Sequence, residues 1–190
     1  MKKQSLVKGT IILGAAGIFA KFLGIFFRIP LVMLIGDEGV GYYQMSYPLY
    51  MFIISAATGI PVAVSKLVSE RNAAGDIDGS FQVLKEALKL MAFLGTGISL
   101  SLILFGRPIV EFLKWDEKAY LSLLGVSLAP MLIYVMDAFR GFFQGQQNMN
   151  STAVSQIIEQ AGRVVCGVGL AIFLYPMGIE YSAAGAAFGA

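Results

Sequence analysis

Long apolar runs separated by short polar breaks set the pattern of this chain. The runs predict helices over about residues 6–35, 42–68, 80–105, 120–144, 152–175 and 182–190. Strand-type alternation is weak in all of them, and most reach the roughly 20 residues that a helix needs to cross a bilayer. Gly36-Asp37-Glu38-Gly39 is a tight turn, and Glu70 to Gly79 is polar and contains glycine. Arg107 to Lys118 mixes charges around Trp115, and Gly145 to Ser151 is rich in amides. Trp115, and the group Tyr42, Tyr43, Tyr47 and Tyr50, fit an interfacial aromatic belt. The sixth run reaches Ala190 with no polar flank, so the sequence is expected to be an N-terminal piece of a longer membrane protein.

Basic residues give the spans a direction. Lys2, Lys3, Lys8, Lys66, Arg71, Lys85, Lys89 and Arg140 fall on one side, and Arg107, Lys114 and Lys118 on the other. The positive-inside rule then puts the N-terminus in the cytoplasm and the acidic turn at Asp37 and Glu38 outside. A cleaved signal peptide is the rival reading of the first segment. Ile18 stands where the cleavage site wants a small residue, and the apolar pattern resumes directly after Lys21, so the segment reads as a retained span.

Composition agrees with the pattern. Hydrophobic residues make up 57% of the chain and charged residues 14%, against about 25% charged in soluble domains. The net charge of +2 and the absence of a basic, aromatic-interleaved cluster exclude nucleic acid as a partner. The chain has no His and one Cys, Cys166, in an apolar run where it reads as a small packing residue. No phosphate-binding loop, paired Cys or His cluster is present, so no catalytic residue, metal ligand or cofactor is assigned.

Charge inside the spans is the candidate chemistry. An ionised side chain at the centre of a membrane helix costs roughly 2.5–3.5 kcal/mol even on lenient scales. In the first helix Gly14, Gly17, Lys21, Gly24 and Arg28 recur at steps of three and four, which places them on one stripe. Pro30 follows as a potential kink. In the fifth, Gln156, Glu159, Gln160 and Arg163 share a face, with Glu159 and Arg163 in the favourable i,i+4 order. In the fourth, Asp137, Arg140 and Gln144 lie near the cytoplasmic edge and read as an interfacial cap with a local pair. Four cations (Lys21, Arg28, Arg140, Arg163) face two acids (Asp137, Glu159), a balance that favours an anion if they share a cavity. Arginine suits phosphate because its planar fork donates two bonds at once. Pro48, Gly59 and Pro61 break the second helix where a transporter would bend.

Three stretches carry a resemblance. RGFFQGQQNMNSTAVSQIIEQAGRV (Arg140 to Val164) resembles the signature of the stage V sporulation protein B group, polysaccharide-biosynthesis proteins of the multidrug/oligosaccharidyl-lipid/polysaccharide (MOP) exporter superfamily. The N-terminal stretch Gly9 to Tyr50, through its KFLGIFFRIPL segment and GDEGVGYYQ turn, and GIPVAVSKLVSE are similar to it as well. The resemblance implies an all-α integral membrane fold, a polytopic bundle of about six transmembrane helices forming most of the N-terminal lobe of a MOP-type flippase. It implies a location in the bacterial cytoplasmic membrane, among membrane lipids and against the remaining C-terminal half of the same protein. Its implied substrate is a lipid-linked anionic saccharide, carried on undecaprenyl pyrophosphate and moved by alternating access. In the related lipid II flippases a basic residue, a Leu-Gly pair and an Arg line the cavity. Lys21, Leu23, Gly24 and Arg28 match that pattern with one residue of stretch, while Phe52 and Ile53 stand where those flippases carry further basic residues.

These readings converge on Lys21, Arg28 and Arg163 as substrate-binding residues, with Glu159 orienting Arg163 and Asp137 and Arg140 in support. A cation-coupled multidrug exporter of the same superfamily is the alternative, and its acidic residues would have to be Asp137 and Glu159. A membrane-embedded enzyme or subunit of envelope polysaccharide synthesis is the third reading.

Overall fold

The computed structural model describes residues 6–189, and every regular element among them is helical. Lys2, Lys3 and Ala190, used above for orientation and for the last run, lie outside the described residues. The apolar stretch Gly9–Ala73 is 65 residues long, roughly 98 Å as a straight helix against a hydrocarbon core of about 30 Å. It folds back. Helix α1 (Leu6–Ala56) consists of two arms that meet at Gly36, whose φ of 62° is left-handed, a conformation cheap only without a Cβ. The rings of Phe27 and Tyr43 are 6.0 Å apart, whereas a straight helix would separate them by roughly 24 Å. The second arm continues into α2 (Gly59–Ala73) across a break at Ala57 and Thr58.

That break is stabilised from a neighbour. Pro61 has no N–H to give and sits in the first turn of α2, where none is needed. The Ala57 N–H turns back to the Ile54 carbonyl at 3.2 Å, and the Ile53 carbonyl accepts instead from the buried Tyr134 hydroxyl at 2.8 Å. Tyr134 belongs to α5 (Ala129–Gly145), which follows α3 (Ile77–Phe112) and α4 (Ala119–Val126). A second break separates α4 from α5, and there the Met131 N–H donates to Ser99 Oγ of α3 at 3.2 Å. Both breaks thus satisfy in trans the backbone groups that a helix end exposes. In the loop before α3, Asp76 accepts from the Gly79 N–H at 2.8 Å as the N-cap. That bond, and then the Arg71 guanidinium, hold its carboxyl below its ordinary range.

The chain then runs through α6 (Met149–Gly162), a π turn (Arg163–Gly167), α7 (Val168–Leu174), a 3₁₀ turn (Tyr175–Met177) and α8 (Ile179–Phe188). Helix α5 packs on α2 and α3, α1 packs on α6 and α8, and α8 also covers α4 and α7. The approach of α5 to α2 depends on Gly141 and Gly145. A Cβ at either would lie 2.6 Å from a backbone carbonyl of α2, that of Pro61 or Ser65. Successive passes alternate in direction. At one end Lys118 pairs with Glu38 at 3.7 Å, Tyr42 donates to Glu38 at 2.6 Å, and Ile179 abuts Gly39. At the other, Gly9 abuts Met149.

Two expectations are corrected here. Tyr42 and Tyr50 are buried and Tyr43 and Tyr47 half-buried, so these four rings face into the bundle rather than forming a lipid-facing belt. Spacing fixed their depth, but rotation of the second arm against the first, with Phe27 on Tyr43, turned them inward. Cys166 is exposed at the surface of the lobe instead of packed in it.

Candidate functional site

The hairpin of α1 and the π turn enclose a cavity of about 430 Å³. Arg28 and Phe27 from the first arm line it, with Tyr43, Gln44 and Tyr47 from the second and Arg163 from the π turn. No Asp or Glu lines it. The two guanidiniums therefore set the sign of its field. Counting at 1.5 Å per residue, Arg28 lies roughly 12 Å along the arm from the Gly36 turn, well inside the slab.

Arg163 owes its place to two features. It opens the π turn Arg163–Gly167, a departure from α geometry that recurs at functional sites because it redirects side chains. Its guanidinium also reaches the Tyr50 hydroxyl of the second arm. The Phe27 ring lies against Gly167 at the other end of the same turn, which fixes the turn against the first arm.

One helical turn before Arg163, a polar network joins α5 to α6. Arg140 donates to Glu159 Oε2 at 2.6 Å, to Asp137 Oδ1 at 3.3 Å and to Ser155 Oγ at 2.8 Å. The Arg140 side chain is 14% exposed and those of Asp137 and Glu159 are 19% and 26% exposed. The expected interfacial cap is therefore a mostly buried link between helices. Sequence spacing gave Glu159 a partner on its own helix, and the structure gives it one on α5. Charge-assisted bonds of this kind are short and directional, so the network holds the helix that carries Arg163.

Arg28 and Arg163 thus come together, and Asp137, Arg140 and Glu159 come together beside them. Lys21 stands apart. It is exposed on the Arg28 stripe and does not line the cavity. Gly14, Gly17 and Gly24 on that stripe have no neighbouring atom within 4 Å of a Cβ position, and of these Gly24 lines the cavity with Arg28. Tyr43, Gln44 and Tyr47 are among the cavity residues that the sequence reading did not assign to the site. The 43, 47, 50 spacing was the available signal, since it puts three tyrosines on one helical stripe. Among the described residues no group of His, Cys, Asp or Glu is placed to hold a metal ion.

The sequence profile described as polysaccharide biosynthesis protein matches residues 6–190. The chain belongs to that family. Stage V sporulation protein B of Bacillus subtilis (strain 168) is 41% identical to it over 190 residues, which cover 98% of this chain and 36% of that protein. The lipid II flippase MurJ of the same strain is 34% identical over 172 residues, 85% of this chain and 31% of that one. The chain spans about a third of the length of these curated relatives. A crystal structure of a MATE protein in complex with MaD3S matches with a TM-score of 0.82 at 18% identity, covering 96% of this chain and 42% of that chain. This member of the polysaccharide biosynthesis family is accordingly an all-α, multi-pass membrane protein with the helical fold of the MOP superfamily.

Proposed function

We propose that the full-length protein is a flippase that moves a lipid-linked saccharide across the bacterial cytoplasmic membrane by alternating access, with this chain as most of its N-terminal lobe. The observation that carries the reading is the acid-free cavity where Arg28 and Arg163 converge from different helices. Two guanidinium forks inside a membrane slab suit a pyrophosphate, which offers several oxygens to paired N–H donors. Lys21, lower on the same stripe, faces the side on which the second lobe would close and meets the headgroup in the other access state. Kinship to a lipid II flippase and to a spore-forming organism's stage V protein supports this class of cargo. The N-terminal end lies in the cytoplasm on this reading. A flippase breaks no covalent bond, so the chain needs no catalytic set.

A cation-coupled drug exporter fits less well. Its cargo would meet two fixed positive charges, and the carboxylates it needs, Asp137 and Glu159, are both bonded to Arg140.

The test is flipping of a fluorescent undecaprenyl-pyrophosphate saccharide by the full-length protein in liposomes. Removing one charge-assisted partner costs about 1.5–3 kcal/mol, so Arg28→Ala and Arg163→Ala are each expected to slow transport by about ten- to a hundredfold while the protein still inserts. Undiminished flipping by both variants would remove the headgroup role.

A further inference from the structure

The cavity holds more than charge. Tyr43, Tyr47 and Tyr50 form a continuous ladder along the second arm, with ring centroids 6.1 Å and 6.0 Å apart. Phe27 extends it across the hairpin, 6.0 Å from Tyr43. Tyr43 and Tyr47 present their rings to the cavity, while Tyr50 is buried behind them against Arg163. Gln44 lies on the same wall and is exposed to the cavity. Tyr47 is one turn from Tyr43, and the level of Arg28 on the opposite arm falls at Gln44, eight residues from the Gly36 turn on each side by count.

Resting on the headgroup reading above, we infer that Tyr43 and Tyr47 are the platform for the sugar ring attached to the pyrophosphate, with Gln44 bonding its hydroxyl or amide groups. A pyranose has one face of C–H bonds that carry partial positive charge, and an aromatic face is the negative side of a quadrupole. Its rim carries donors and acceptors, which an amide can answer in both senses. Guanidiniums close to a row of tilted phenol rings therefore match a group that is anionic at one end and a polar ring at the other. A polyprenyl chain would desolvate both guanidiniums and offer them no acceptor. An organic cation would gain from the rings but be repelled by Arg28 and Arg163. The volume of about 430 Å³ is within the roughly 300–1,000 Å³ of small-molecule sites. The cavity on this inference reads the first sugar as well as the phosphates, so the lobe selects loaded carrier lipid over bare carrier.

The test measures binding to the full-length protein in nanodiscs with two probes, undecaprenyl pyrophosphate and the same lipid carrying one N-acetylhexosamine. The wild type is expected to prefer the glycosylated lipid by about tenfold. Tyr47→Ala is expected to bring that ratio close to one by weakening the glycosylated lipid more than the bare lipid, and Tyr47→Phe to keep the ratio. Tyr47→Leu, which keeps an apolar side chain in place without a π face, is expected to behave like Tyr47→Ala and guards against simple misfolding. Arg163→Gln is expected to weaken both lipids alike. An unchanged ratio in Tyr47→Ala and Tyr47→Leu, or an equal loss for both probes, overturns the platform. Unaltered binding of the bare lipid by Arg163→Gln and Arg28→Ala, with the ratio still dependent on Tyr47, overturns the headgroup reading and leaves the platform standing. A wild type that binds neither lipid overturns both.

Discussion

Arg140 ties three side chains on two helices, and its value lies in what it leaves behind when removed. Replacing it by glutamine removes the cation bonded to both the Asp137 and the Glu159 carboxylates, which are largely out of water. Breaking a buried pair from one side costs more than the pair is worth, because the surviving charge keeps its desolvation penalty. Arg140→Gln is expected to destabilise the full-length protein by on the order of 2–4 kcal/mol, read as a lowered thermal midpoint in detergent. Adding Glu159→Gln to Arg140→Gln is expected to restore part of that loss, and a purely additive double variant would show that the 2.6 Å contact is not an energetic link. At this scale the sequence was readable for position and silent on partners. Each ionisable residue inside an apolar run stands out by its cost alone, so Lys21, Arg28, Asp137, Arg140, Glu159 and Arg163 could all be picked. Glu159 and Arg140 are 19 positions apart, and only the turn at residues 146–148 brings them face to face. The tyrosines teach the same point, since sequence gives depth along a helix but not which way a ring turns once two arms pack.

Among the elements, the α2–α5 contact is the one that a single residue can test. Gly145 faces the Ser65 carbonyl and the Val68 side chain, at 2.6 Å and 2.7 Å from where a Cβ would be. Backbone cannot yield as a flexible side chain can, so Gly145→Leu has to push α2 and α5 apart. That separation strains the break at Ala57 and Thr58, which depends on Tyr134 reaching the Ile53 carbonyl. Overpacking of this kind costs about 1–3 kcal/mol. Gly145→Leu is therefore expected to lower the thermal midpoint and the folded yield, with Gly145→Ala between it and the wild type. A leucine variant as stable as the parent would mean that the two helices do not meet as closely as described. Helix ends were harder to read than helix existence. Hydropathy marks where a helix is inside the slab, whereas α3 runs from Ile77 to Phe112 because the Asp76 cap starts it early and Arg107 and Glu111 extend it in a polar setting. The π turn left no trace in the sequence, because Val164, Val165 and Cys166 continue the apolar run without a breaker.

On the scale of the whole lobe, the alternating passes leave each loop on a defined side, and the charges on the two sides differ. The Gly36 turn, the loop at residues 113–118 and the 178–180 corner meet at one end, where Glu38 bonds to Tyr42 and pairs with Lys118. The opposite end carries Lys66, Arg71, Lys85 and Lys89 on and around the loop at residues 74–76. Lys and Arg near span ends set orientation, with acidic residues contributing little, so the proposed orientation puts the end rich in cations in the cytoplasm and the Glu38 end outside. This orientation also gives the cavity a sense. On that proposal Arg28 lies nearer the outer turn and Lys21 deeper toward the cytoplasmic end, so a headgroup taken up from inside would pass Lys21 before it meets Arg28. Single cysteines decide the matter in intact cells of a full-length Cys166→Ser background, a necessary step because Cys166 is itself exposed on the lobe. A membrane-impermeant maleimide is expected to label Asp37→Cys and Asp116→Cys readily, and to label Ala74→Cys and Gln147→Cys only after the membrane is opened. The reverse pattern would turn the lobe over and put Arg28 at the cytoplasmic mouth. Labelling of Asp37→Cys and Ala74→Cys together would contradict the crossing made by the second arm and α2, because that single pass must place those two positions on opposite sides.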